Sequence, residues 1–209
     1  MNGSFGRNVL WLSAILGAIV LLLYLFVFDT WVVPFDDKQL LVSVEPLLGP
    51  DDRILTRRGS TPKTSELARC LAPDGSGKYV LGRVFGGAGE TVEVNNERVA
   101  VGGKSPKTRH QCPSVTVAHP VSGDPIALLC SVEDNGSFTY SVLLHPEFRE
   151  GQRVMKLEAG KVFLVSDNRH FHYDSLDYGP VDASTCEHVV FRLWGPSFVD
   201  SSRRFNILW

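Results

Sequence analysis

Thr91-Val92-Glu93-Val94-Asn95-Asn96-Glu97-Arg98-Val99-Ala100-Val101 alternates apolar with polar residues, breaks at a pair of asparagines, and resumes its apolar run. A repeat of two places the valines of an extended chain on one face, and asparagine tolerates the backbone of a tight reversal. The stretch therefore reads as an antiparallel hairpin, with Asn95-Asn96 at the turn. The same pattern recurs on both sides. Upstream lie Arg53-Ile54-Leu55-Thr56 and residues 79–85. Downstream lie residues 132–142, with Asn135-Gly136 at their centre, then 161–165 and 188–194. No long amphipathic helix and no internal repeat interrupts the series. The expectation is a mainly β domain of antiparallel sheets. Residues 59–76 and 102–123, rich in Gly, Pro, Ser and Lys, are expected as surface loops.

The amino terminus differs. From Val9 to Phe28 no residue is charged, in the run VLWLSAILGAIVLLLYLFVF. About twenty helical residues, at roughly 1.5 Å each, cross the ~30 Å hydrocarbon core of a bilayer. A cleaved secretory signal would be shorter and would end in small residues. Here Phe26-Val27-Phe28-Asp29-Thr30-Trp31 follows, so a retained anchor is expected. Arg7 precedes the run, and Asp29, Asp36 and Asp37 follow it. That bias places residues 1–8 in the cytoplasm as a short tail, the helix at 9–28, and residues 29–209 outside as one domain. Trp31 is expected near the headgroups.

The chain has 209 residues, 44% hydrophobic and 21% charged, with a formal net charge of -2. Such a balance lacks the basic footprint of a nucleic-acid binder. The four cysteines lack the paired close spacing of a zinc site and fit an oxidising exterior. Cys112 with Cys130, and Cys70 with Cys186, are possible bridges. Three connectivities remain open, as does the alternative of four free thiols.

Three segments, in order, resemble the type I signal peptidase family. The longest is Phe163-Leu164-Val165-Ser166-Asp167-Asn168-Arg169-His170-Phe171-His172-Tyr173-Asp174-Ser175-Leu176-Asp177-Tyr178-Gly179-Pro180-Val181. It is similar to the family's Gly-Asp-Asn-Arg, then Asp-Ser-Arg, then Gly-Pro-Val. The second, Tyr79-Val80-Leu81-Gly82-Arg83-Val84-Phe85-Gly86-Gly87-Ala88-Gly89-Glu90, looks like the family's Tyr-Val/Ile-Lys-Arg-Val strand and glycine turn. The third is Ser43-Val44-Glu45-Pro46-Leu47-Leu48, followed by Asp52-Arg53-Ile54-Leu55, similar to Ser-Met-x-Pro-Thr-Leu and its strand. The likeness runs from Val9 to Trp194, with residues 102–160 a variable insertion. It implies a membrane-anchored serine endopeptidase of the bacterial inner membrane. Its domain would face the periplasm or exterior, and it would need no cofactor and no metal. The implied partners are signal peptides or N-termini of exported proteins, membrane lipid and a secretion or assembly complex. Substrate would bind as an added strand, its small side chains entering shallow pockets. Val44, Pro46, Val80 and Val84 are the candidate pocket residues.

Ser43 falls on the family's nucleophile, which needs a base to take its proton. The family's lysine base falls on Gly82, whose strand face it shares with Val80 and Val84. That is the apolar setting which would lower a lysine pKa, without the amine. Lys78 lies four residues down the strand, roughly 13 Å away, and cannot substitute. Leu41 replaces the serine that completes the oxyanion hole in Gram-negative relatives. Ser166 replaces the motif's first glycine, and Leu176 the arginine that pairs with its aspartate. Asp174, so deprived, is expected beside Arg169 or His172. His172 is the candidate substitute base, with Asp174 fixing its tautomer, against the plainer reading of a solvated loop histidine. A metal held by His170, His172 and Asp174 lacks an identifiable fourth ligand. The glycines at 86, 87 and 89 lack the ending of a phosphate loop and read as a tight turn. Arg203-Arg204 is expected as a solvated pair. Two functions follow: a signal peptidase with altered machinery, or a non-cleaving relative that binds peptides as a chaperone or assembly subunit, like lysine-less relatives in pilus assembly.

Overall fold

A computed structural model describes residues 3–147 and 151–208. Helix α1, Gly3–Phe26, contains a continuous apolar span, Arg7–Phe26, with mean hydropathy 2.6 and none of it buried. It begins earlier than the apolar run and ends before Phe28. That residue instead opens strand β1, Phe28–Val32, because Asp29 and Thr30 break the helical stripe and start an extended alternation. The junction is tied: Arg58 donates through Nη1 to the Leu25 carbonyl at 2.7 Å and through Nη2 to Asp29 at 3.1 Å. Arginine thereby satisfies a carbonyl that the helix end leaves without a partner.

After β1 come the short helix α2 (Lys38–Ser43) and strands β2 (Arg53–Arg57), β3 (Leu67–Leu71) and β4 (Tyr79–Val84). Then follow β5 (Thr91–Asn95), β6 (Arg98–Val101), β7 (Lys107–Ala118), β8 (Pro125–Asp134) and β9 (Thr139–Leu144). The chain continues through β10 (Arg153–Lys156), β11 (Lys161–Val162), β12 (Leu164–Val165), helix α3 (Ser175–Tyr178), β13 (Val181–Asp182), β14 (Glu187–Trp194) and β15 (Asn206–Ile207). The main sheet has the order β1-β2-β14-β3-β4-β12, with β15 also on β14; β10-β5-β6, β11-β13 and β7-β8-β9 form smaller sheets. Every pairing between these strands is antiparallel, as the alternating pattern requires.

The main sheet is covered on both faces. Leu67 and Leu81 point into a cluster with Leu40, Val44, Leu48, Ile54 and Val189. Their neighbours Ala68, Cys70, Val80 and Val84 point the other way, against Val162, Leu164, Val181 and Cys186. The β7-β8-β9 sheet presses Leu128, Cys130 and Leu143 onto Val42 of α2. Cys70 bridges to Cys186 across 116 residues and Cys112 to Cys130 across 18.

The structure corrects several expectations. Residues 59–76 include β3, and residues 102–123 include the twelve-residue β7, so neither is simply a loop. The first hairpin turns one residue later than read: Asn95 pairs Arg98, while Asn96 (φ 48°) and Glu97 (φ 66°) make the reversal. Arg203 is no solvated partner of Arg204; its Nη2 lies 2.7 Å from the buried carboxylate of Asp52.

Candidate active site

Helix α2 places Ser43. Asp37 caps its start by accepting from Leu40 N at 3.0 Å, and Leu40 with Val44 spaces an apolar pair four residues apart into the core. Ser43 ends this turn fully buried, and its Oγ donates to the Leu40 carbonyl at 2.8 Å. Its own carbonyl accepts from Asn168 N at 3.0 Å, which brings the long motif onto the helix. Among the described residues no side-chain nitrogen hydrogen-bonds the Ser43 hydroxyl.

Gly82 lies in β4, buried and paired with Ala68 of β3. Its φ is not positive, so backbone freedom does not explain the residue. Space does. A Cβ here would stand 3.1 Å from Leu164 Cβ and 3.1 Å from the Val165 carbonyl. Strand β12 is packed so close that a side chain at this position needs a shift of its neighbours.

The long motif is held by charge and backbone. Arg83 makes a two-pronged contact with Asp167, Nε–Oδ1 at 2.6 Å and Nη2–Oδ2 at 3.1 Å, beneath the Tyr140 ring. Arg169 pairs with Glu133 at 3.1 Å. Asp174 is fully buried, its Oδ2 accepting from Ser166 N at 2.8 Å and its Oδ1 from Leu176 N at 2.9 Å. Asp174 is thus held by two backbone donors, Ser166 N just after β12 and Leu176 N at the start of α3, with His172 Nδ1 3.9 Å from Oδ1. Burial pushes the Asp174 carboxyl upward, against His172 and those two N–H groups. Ser166, in place of glycine, uses its Oγ to accept from Tyr173 N at 3.2 Å.

The imidazole of His172 is oriented by Asp177 rather than Asp174: Nδ1 lies 2.8 Å from Asp177 Oδ2. No hydrogen bond joins His172 to Ser43 among the described residues. His172, Asp174 and Asp177 bring ligand atoms within 4.8 Å of one another. Each is already engaged in capping α3 or holding its neighbour, so the group reads as a structural knot. His170 stands apart, stacked on His145 with ring centres 4.6 Å apart and bonded to Glu97 at 3.1 Å.

Beside α2 and β4 runs a groove of about 630 Å³, lined by Trp31, Pro34, residues 36–39, Ala72, Asp74, Ser76, residues 78–80 and Tyr173. One side of β4 over 79–82 is paired with β3, while β12 pairs the other side only at Arg83 and Val84. The groove reaches the start of β4, where among the described residues no strand pairs the side away from β3, an edge that an extended segment can join. Of the candidate pocket residues, Val80 lines it. Val44 is buried in the core, Pro46 is exposed, and Val84 is buried and lines a different groove beside Gly86 and Gly87. Trp31, Asp37, Asp74 and Tyr173 were not foreseen as groove residues. The one signal in the sequence was Asp37, three residues before Leu40, where a helix cap belongs.

No curated protein matches the chain. A family model does, over residues 7–194, described as signal peptidase, peptidase S26. The match takes in the apolar helix, the Ser43 turn, β4 with Gly82 and the whole motif from Phe163 to Val181. The chain belongs to the signal peptidase S26 family.

Proposed function

We propose that this is a single-pass protein of the bacterial cytoplasmic membrane, with its domain outside. It binds N-terminal segments of exported proteins in the groove beside β4 without cutting them. The observation that carries the reading is the state of Ser43, whose buried hydroxyl is given to the Leu40 carbonyl. Loss of a general base lowers rates by about 10²–10⁴-fold. The oxyanion serine is replaced by Leu41 as well, and one such donor is worth about 3 kcal/mol of barrier. The apolar strand face, the capped α2 and the Arg83–Asp167 tie are all in place, which favours a binding role over a decayed fold.

A second reading rests on the His172–Asp177 contact, which leaves an oriented imidazole on the motif that touches Ser43. It makes the protein a peptidase with an altered base. One experiment separates the two. The detergent-solubilised chain is incubated with an exported precursor, then assayed for co-purification and for a cut after a small residue. The expected outcome is capture without a cut. Cleavage by the parent that disappears in His172→Ala establishes the altered peptidase instead. Cleavage only in Gly82→Lys shows that the scaffold lacks nothing but its amine. Failure to capture or cut overturns both readings.

A further inference from the structure

The groove carries more charge than a pocket for small apolar side chains needs, and the charge is uneven. Asp36, Asp37 and Asp74 line it against Lys38 and Lys78. Lys78 acts on Asp74, helping to hold that carboxylate below its usual range after the bonds from the Ser76 backbone and side chain. Acids outnumber lysines along it, three to two, and Tyr173 lines the same groove as Asp37 and Asp74. Burial pushes the Tyr173 phenol upward, and the charged groups that add to this are Asp37, Asp74 and Asp177, with no cation among them. These carboxylates come from three separate places: the α2 cap, the turn before β4 and helix α3.

The aromatic surfaces divide the same way. Trp31 and Tyr79 pack edge to face at 5.9 Å and already share the Arg69 guanidinium, 4.3 Å from the Tyr79 ring and 5.8 Å from that of Trp31. Tyr173 packs edge-on to Tyr178 at 5.4 Å, and among the described residues no guanidinium or ammonium lies over its ring. An aromatic ring sharing a groove with Asp37 and Asp74 suits an ammonium or guanidinium head, whose alkyl stem can lie along the rest of the groove. We infer that the groove selects extended polypeptide segments carrying a lysine or arginine, whose head seats at the Tyr173 end beside Asp37 and Asp74.

This inference rests on the reading of the groove as a peptide cleft, and the experiment keeps the two apart. Fluorescent peptides identical except for Lys, Arg, Gln or Ala at one position are titrated against the full chain in detergent, with anisotropy as readout. The Lys and Arg peptides are expected to bind about tenfold more tightly than Ala or Gln, with the advantage shrinking at about 0.5 M salt. Asp74→Asn keeps the acceptor for Ser76 N and is expected to remove most of the advantage, bringing the Lys and Arg peptides toward the affinity of the Ala peptide measured on the same variant. Equal binding of Lys and Ala peptides overturns the charge selection and leaves the cleft standing. An undiminished advantage in Asp74→Asn overturns the placement at this end. Failure of every peptide to bind overturns the cleft, and the selection with it.

Discussion

A single methyl group measures how tightly strand β4 is packed at Gly82. At Gly82 an added Cβ meets the Leu164 side chain and the Val165 backbone at 3.1 Å, and a strand backbone gives less readily than the tip of a side chain. Gly82→Ala is therefore expected to lower stability by about 1–2 kcal/mol, read as a lower urea midpoint with unchanged slope. A second test at this scale uses acid. His170 is pushed down to about 4 by burial and by His145, His172 and His119, while its Nδ1 hydrogen donates to Glu97. An unfolded histidine takes its proton near pH 6.5. Between the two values the unfolded chain binds more protons, so stability is expected to fall as pH drops from about 6.5 toward 4 and to level off below. His170→Gln should flatten that slope. Carboxylates out of contact with His170, Asp174 among them, titrate in both proteins and cancel in the comparison, and Gln at 170 keeps a donor for Glu97.

Elements show why the sequence was read well in some places and poorly in others. The hairpins at 91–101 and 132–142 were plain, because one face of each meets the core and the period survives; the start of β8 from Pro125 was not read. Strand β3 was hidden by the opposite circumstance. Leu67, Ala68, Arg69 and Cys70 are all buried, since the sheet is covered on both faces, so no alternation remains to be seen. Strand β7 failed for a third reason. It is an edge strand, mostly exposed, containing Pro113 and two register shifts, so its composition is that of a loop. Of the candidate site, Ser43, Gly82 and the motif could be named as candidates because short motifs carry them. The groove was not, because Trp31, Asp74 and Tyr173 meet only through the fold. The disulfides make the element-scale prediction. Losing Cys70–Cys186, which closes 116 residues, should cost about 4–5 kcal/mol, and losing Cys112–Cys130, which closes 18, about 3 kcal/mol. Paired serine variants compared by urea unfolding without reductant give the order; equal losses would show that chain closure is not what these bridges contribute.

At the scale of the whole molecule, the domain begins where the apolar helix stops. Arg58 reaches back to the Leu25 carbonyl, Asp29 is shared between Arg58 and Arg69, and Arg69 also meets Glu187, so helix, β1 and the main sheet are joined by one run of charge contacts. Trp31, five residues beyond Phe26, is already in the groove wall. With α1 in a bilayer, that spacing sets the altitude of the groove at no more than about 18 Å of chain above the helix end. A polypeptide still embedded by its own leader would share the same plane and meet the groove by lateral diffusion, at an effective concentration far above its bulk value. Weak intrinsic affinity would then suffice, and shaving the leader off a client would release it as surely as any change in the groove.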